Sequence, residues 1–258
     1  CGIYGPEDAA ALTGLGLHAL QHRGQEAAGI VAFDGRQFNA HRAAGQVADN
    51  FSSENVIGQL GGHAAIGHVR YSTTGGTVLR NVQPLFADLE FGGFAIAHNG
   101  NLTNAYTLRR ELVRRGSLFQ STTDTEVITH LMATGSGSVI DRLVQALRQI
   151  QGAYSIVALA HDRVIGVRDP LGVRPLVIGR LGDQHIVASE TCALDIIGAD
   201  FVRDVEPGEV VVIDGNGIES LHPFPPRKKR FCIFEYIYFA RPDSVVEGES
   251  VYEARKRI

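Results

Sequence analysis

Apolar, β-rich runs fall into two groups along this chain, and three amphipathic stretches separate the groups. The first group comprises residues 1–4, 29–33, 64–70 and 92–97, and the second comprises 154–160, 163–167, 176–179, 186–188 and 210–213. Between them lie 101–115, 124–133 and 139–150, where apolar residues recur at three- and four-residue spacing with arginines interspersed, the pattern of helices that cover a sheet with one face. Two further helical stretches are predicted inside the first group, one from the Pro6-Glu7-Asp8 start to about Leu20 and one over 47–60. The later strands follow one another mostly as hairpin-like runs, so antiparallel pairing is expected. The pattern predicts an α+β chain, a four-layer αββα sandwich of two mainly antiparallel sheets with helices on the outside.

Such a core needs apolar residues, and 44% of the 258 residues are hydrophobic. A net charge of -4 offers no general attraction to nucleic-acid phosphates or anionic lipid, which leaves a small molecule as the expected partner. The longest apolar stretches, such as 153–160, fall far short of the roughly 20 residues that span a bilayer, and no secretory signal precedes Cys1. A soluble, cytoplasmic chain is therefore expected. Cys1, Cys192 and Cys232 are too scattered for a disulfide framework and form no Cys-x-x-Cys pair, so reduced thiols are the expectation. Lys228, Lys229 and Lys256 all lie near the end and outside any glycine-rich loop, which argues against a P-loop or a Schiff-base lysine. A proline- and base-rich stretch over 223–230 reads as a linker dividing a domain at 1–230 from a bridge at 231–258. The helix start at 251–258 has no C-terminal cap and is expected to continue into a further, truncated domain.

Cys1 puts a thiol and an α-amine on one residue, and that amine can take the thiol proton without a neighbouring histidine. With reference pKa values of about 8.5 and roughly 7.7–8.0, the transfer is uphill by only about 1 kcal/mol. Alone, Cys1 reads equally well as a small buried residue, so other motifs must decide. His18 and His22 stand four apart on a predicted helix but have no third ligand, so no metal is expected there. The run Gly14-Leu15-Gly16-Leu17-His18-Ala19 matches a dinucleotide fingerprint only formally, because it sits inside a helix and not after a strand.

The deciding motifs are Cys1-Gly2-Ile3, Leu20-Gln21-His22-Arg23-Gly24-Gln25, Gly67-His68-Val69-Arg70-Tyr71-Ser72-Thr73, His98-Asn99-Gly100-Asn101-Leu102 and Thr123-Asp124-Thr125-Glu126, in that order. Together they resemble the N-terminal-nucleophile glutamine amidotransferases, whose glutaminase domain has the four-layer architecture. The segments 168–176 and 235–244 narrow the resemblance to the glutamine phosphoribosylpyrophosphate amidotransferases of purine synthesis. The resemblance implies that Cys1 is the nucleophile and that Asn99 and Gly100 form the oxyanion hole. It implies that Arg70 and Asp124 clamp the α-carboxylate and α-ammonium of L-glutamine. Thr73 is a further candidate for glutamine contact, and Arg23 and Gly24 are implied to lie in the pocket beside the nucleophile.

For a longer chain the resemblance implies phosphoribosyl diphosphate with magnesium in a C-terminal domain, a homo-oligomer, and in some members a 4Fe-4S cluster with Cys232 among its ligands. For this chain no cofactor is expected. Two other readings remain open: a different cysteine-first amide hydrolase, of the bile-salt or penicillin type, and a catalytically silent regulatory domain. Arg70 with Asp124 disfavours the first.

Overall fold

The computed structural model describes residues 1–71 and 78–258. Strands β2 (Ala27–Phe33) and β4 (Ala64–Arg70) carry apolar residues on both faces, so each must be covered on both sides. They sit in a seven-stranded sheet with β1 (Gly2–Tyr4), β3 (Phe38–Ala44), β9 (Val177–Leu181), β10 (Gln184–Ala188) and β11 (Asp200–Asp204), in the spatial order β11-β9-β10-β1-β4-β2-β3. The second sheet has six strands in the order β13 (Gly217–Leu221), β12 (Val210–Asp214), β8 (Arg163–Arg168), β7 (Gly152–Ala160), β6 (Gly92–Leu102) and β5 (Leu85–Leu89). Every pairing in both sheets is antiparallel.

Alternation along the strands divides the core into three layers. Val31, Ile66, Ala95, Val157, Val164 and Val187 meet between the two sheets. Ala28, Ile30, Ala65 and Ile186 point the other way, under α1 (Ala9–Ala19), α2 (Val47–Phe51), α3 (Glu54–Gln59) and α7 (Thr191–Ile197). Phe94, Ile96, Ile156 and Ile165 face α4 (Ala105–Arg114), α5 (Thr125–Ala133) and α6 (Val139–Leu147). Each large side chain taken from water in this way stabilises the fold by about 1.5–3 kcal/mol. The result is the expected αββα sandwich. Among the described residues no helix is long and apolar enough to cross a membrane.

Of the strands in these two sheets, hydrophobic patterning does not mark β3, β5, β11 and β13, and these are the two edges of each sheet. An edge strand needs only one paired side and less apolar surface, as in Phe38-Asn39-Ala40-His41-Arg42, so hydrophobic patterning is weakest there. The short helix α7 was missed as well, and the stretch predicted as one helix over 47–60 is two, with Ser53 capping the second. A larger correction concerns residues 101–104, expected as the start of a helix. β6 runs on to Leu102, paired residue for residue with β7, and α4 begins only at Ala105.

The motif at 168–176 closes on itself. The Arg168 guanidinium donates to the carbonyls of Arg174, Val205 and Gly172, and the Asp169 carboxylate accepts from the Leu171, Val173 and Tyr154 amides. Both side chains are fully buried. The amides of Arg230 and Cys232 donate to Leu171 and Val173, which ties the beginning of the 231–258 segment to this loop. That segment holds a π-helical turn (Glu235–Phe239), the hairpin β14 (Val245–Val246) and β15 (Glu249–Ser250), and α8 (Val251–Arg257), around a small core of Tyr236, Val246 and Val251.

Candidate active site

β1 lies between β10 and β4, so Cys1 enters from the middle of a sheet whose position is set on both sides. Its α-amine donates to the Gly67 carbonyl at 3.1 Å, and the Gly67 amide returns a bond to the Cys1 carbonyl at 2.8 Å. Gly16 of α1 leaves room for the sulfur, since a Cβ there would stand 3.1 Å from Sγ. Burial lowers the pKa of the α-amine from 8.0 to about 5, so at neutral pH it is a free base.

Asn99 and Gly100 lie within β6, opposite Ser155 and Tyr154 of β7, and not in a turn. Gly100 has φ +149°, and a Cβ there would approach the Ala153 carbonyl oxygen to 2.0 Å, so only glycine fits. The Asn99 Nδ2 is buried with no hydrogen-bond partner among the described residues. An unpaired buried donor costs about 1–3 kcal/mol, and Asn99 lines the cavity that also holds Cys1.

Arg70 ends β4. It is 8% exposed, donates to the Asn81 carbonyl, and keeps a buried Nε with no partner among the described residues. Asp124 stands at the start of α5, where its Oδ2 accepts from the Leu102 amide at 2.9 Å while Oδ1 lies 3.8 Å from Nδ1 of His98. The loop leading to Asp124 is pinned by Glu126, which accepts from the Gln120 and Ser121 amides and the Ser121 hydroxyl. Burial pushes the Glu126 carboxyl up, but these bonds and His130 hold it down at about 2. Thr73 lies outside the described residues.

Arg23 lines the same cavity, but its guanidinium is engaged by two carboxylates. It bonds Glu190 through Nε and Glu235 through a terminal nitrogen at 2.7 Å. Both glutamates are completely buried. Glu190 also accepts from His22, Ser244 and the Arg241 amide. Despite its burial, Arg23 and these donors hold its pKa at about 2. Arg174 donates to the other oxygen of Glu235 and stacks on Phe239, 4.6 Å from the ring centre. Gly24 does not line the cavity. Its Cα packs on the Arg70 backbone so closely that a Cβ would fall 2.3 Å from the carbonyl carbon, so it fixes the approach of the Gln-His-Arg-Gly turn to β4.

One cavity of about 780 Å³ joins Cys1, Asn99, Gly100, Arg70, Asp124 and Arg23. His68, His98, Tyr238 and Phe239 also line it, and the sequence reading assigned them no role although all four lie in the quoted segments. Desolvation, with the nearby Cys1 amine, His98 and Arg70, pushes His68 down to about 3. Burial likewise lowers His98, opposed by Asp124. The His68 ring is neutral at physiological pH.

No metal centre emerges from the cysteines. Cys1 and Cys192 are buried, Cys232 is half-buried, and among the described residues no cluster of three potential metal ligands contains a cysteine. An iron–sulfur cluster needs four ligands, and these three cysteines alone do not supply them. Glu206, Glu209 and His222 do approach one another within 4.8 Å, but both Glu209 oxygens already accept from Arg203 at 2.8 and 2.6 Å.

A family model described as a glutamine amidotransferase domain matches residues 68–195. An amidophosphoribosyltransferase of Rhizobium etli is 56% identical over 263 residues, covering 100% of this chain and 53% of the relative. A structure described as the allosteric regulatory enzyme of purine biosynthesis superposes with a TM-score of 0.95 at 45% identity, over 99% of this chain and 55% of its own. Glutamine phosphoribosylpyrophosphate amidotransferase from B. subtilis, solved with ADP and GMP, gives 0.94 at 44% identity, over 99% and 55%. The chain thus spans about half the length of these relatives.

Proposed function

We propose, on the premise that this chain belongs to the glutamine amidotransferase domain family, that it hydrolyses the side-chain amide of L-glutamine through a thioester on Cys1. The observation that carries this reading is a single cavity containing a thiol beside a deprotonated amine, an unpartnered amide donor, and one cation and one anion suited to an amino-acid head group.

The chemistry follows from these groups. Cys1 Sγ adds to the glutamine amide carbon as its proton passes to the α-amine. With the amine lowered to about 5, a resting thiolate–ammonium pair is disfavoured, so transfer accompanies attack and does not precede it. This replaces the nearly level transfer expected from reference values. The oxyanion accepts from Asn99 Nδ2 and the Gly100 amide, donors held in position before the charge develops. The proton on the amine then goes to the departing nitrogen, which leaves as ammonia. Water hydrolyses the thioester to glutamate and restores the thiol. Arg70 pairs with the α-carboxylate and Asp124 with the α-ammonium, which excludes plain amides.

In the intact protein the ammonia serves phosphoribosylamine formation from phosphoribosyl diphosphate, with any magnesium held at an acceptor site outside this chain. The test is Cys1→Ala together with an affinity label built on glutamine. The variant is expected to lose glutaminase activity while keeping its fold, and the label to attach to Cys1. Burial raises Cys192 to about 12, so it should not compete. Labelling at Cys192 or Cys232, or an active Cys1→Ala protein, would overturn the proposal.

A further inference from the structure

Asn81 lies in a short turn (Leu79–Asn81) and is 2% exposed, although an amide side chain so enclosed must find partners for both its oxygen and its nitrogen. It finds both on one residue. Oδ1 accepts from the Thr122 amide and Nδ2 donates to the Thr122 hydroxyl, each at 2.9 Å. Its own carbonyl meanwhile accepts from the Arg70 guanidinium. Thr122 is two residues before Asp124, in the loop that Glu126 fastens to α5. Arg70 belongs to one sheet and Asp124 to a helix covering the other, and Asn81 is a point where the two are joined by hydrogen bonds.

We propose that Asn81 is a positioning residue that sets the spacing between the cation and the anion of the amino-acid clamp, and so governs selectivity for a substrate carrying both an α-carboxylate and an α-ammonium. The proposal rests on the glutaminase reading above. A clamp for two charges on one carbon works only if its halves hold their separation, because a carboxylate and an ammonium on the same atom cannot follow a drifting partner. Asparagine suits the task because it alone at this length offers a donor and an acceptor side by side. Alanine offers neither, and an ionised aspartate offers no donor.

The test measures glutamine kinetics in the intact protein for Asn81→Ala, and for Thr122→Ala, which removes one of the two bonds from the other side. Beside them run Arg70→Ala, Asp124→Ala and the Asn81→Ala/Arg70→Ala double variant. Alkylation of Cys1 by iodoacetamide, which has no amino-acid head group, is followed throughout. Asn81→Ala is expected to raise the glutamine KM about tenfold, with kcat within about threefold and the alkylation rate unchanged, and Thr122→Ala to have a smaller effect in the same direction. In the Arg70→Ala background the Asn81→Ala effect should shrink to less than about threefold, since the clamp is already open. A fall in kcat at constant KM, or an undiminished KM effect without Arg70, would overturn the positioning role. If Arg70→Ala and Asp124→Ala themselves leave KM unchanged, the clamp reading fails and this proposal with it. If those two raise KM and Asn81→Ala and Thr122→Ala do not, only the proposal for Asn81 fails.

Discussion

Two sets of charged and polar groups meet at the same cavity, one reaching it only through His22, Arg23 and Arg174, and they are treated in opposite ways. Around Arg23, the carboxylates of Glu190 and Glu235 are completely buried and bound by His22, Arg174, Ser244 and the Arg241 amide as well as by Arg23. Around Cys1, Asn99 Nδ2 and Arg70 Nε are buried without partners among the described residues, and Asp124 retains partial exposure. The residue types alone do not distinguish the sets, since each pairs arginine with acid. The difference lies in the carboxylates and in Arg23: in this closed set their mutual bonds hold the turn before β2 against the 231–258 segment, although Arg174 Nε has no partner among the described residues, whereas in the open set Asn99 and Arg70 keep bonding capacity beside Cys1. Arg23, expected in the pocket beside the nucleophile, does line the cavity, but its guanidinium belongs to the closed set.

Substitution of the two arginines is the most severe way to break this comparison. Arg23→Ala leaves Glu190 and Glu235 buried beside a missing cation and is expected to cost about 3–5 kcal/mol of stability in chemical denaturation. Arg70→Ala should change stability by about 1 kcal/mol while raising the glutamine KM. Equal stability losses would mean that the sets do not differ in kind.

Asn99→Ala probes the open set at the reacting atom. It should lower kcat about a hundredfold or more with little change in KM, because the donor meets full charge only in the transition state. Steady-state kinetics decide this, and a KM effect alone would reassign Asn99 to substrate binding.

The smallest expected change is in the pH profile. With the Cys1 amine at about 5, kcat/KM should stay nearly flat from pH 8 to about pH 6 and fall by half near pH 5, where an ordinary amine would already be half protonated at 8.0. The two sets should also differ in how acid destabilises them. The unfolded amine binds a proton between 8.0 and about 5 that the folded one does not, so stability declines as pH falls through that window. The contribution of Glu190 is present in full above its unfolded value of 4.5 and is lost as pH falls through about 2. A rate profile that falls between pH 8 and about pH 6 would mean that the amine is not held neutral.

The interior strands were legible in the sequence because β2, β4, β7 and β8 carry unbroken apolar runs that must be covered on both faces. The motifs also marked Cys1, Arg70, Asn99, Gly100 and Asp124 as candidates, and the fold brings all five to one cavity. The edge strands were not legible, because pairing on one side places little demand on composition. Nor were the partners that decide what each charge does. Arg23 meets Glu235 across 212 positions and Glu190 across 167, and Asn81 reaches Thr122 across 41. The sequence by itself determined the layers and the reactive groups, because hydrophobic period and motif spacing are local. Only the tertiary structure decided which charges are closed and which stay open, because desolvation and hydrogen-bond completion depend on neighbours that the chain brings together only when it folds.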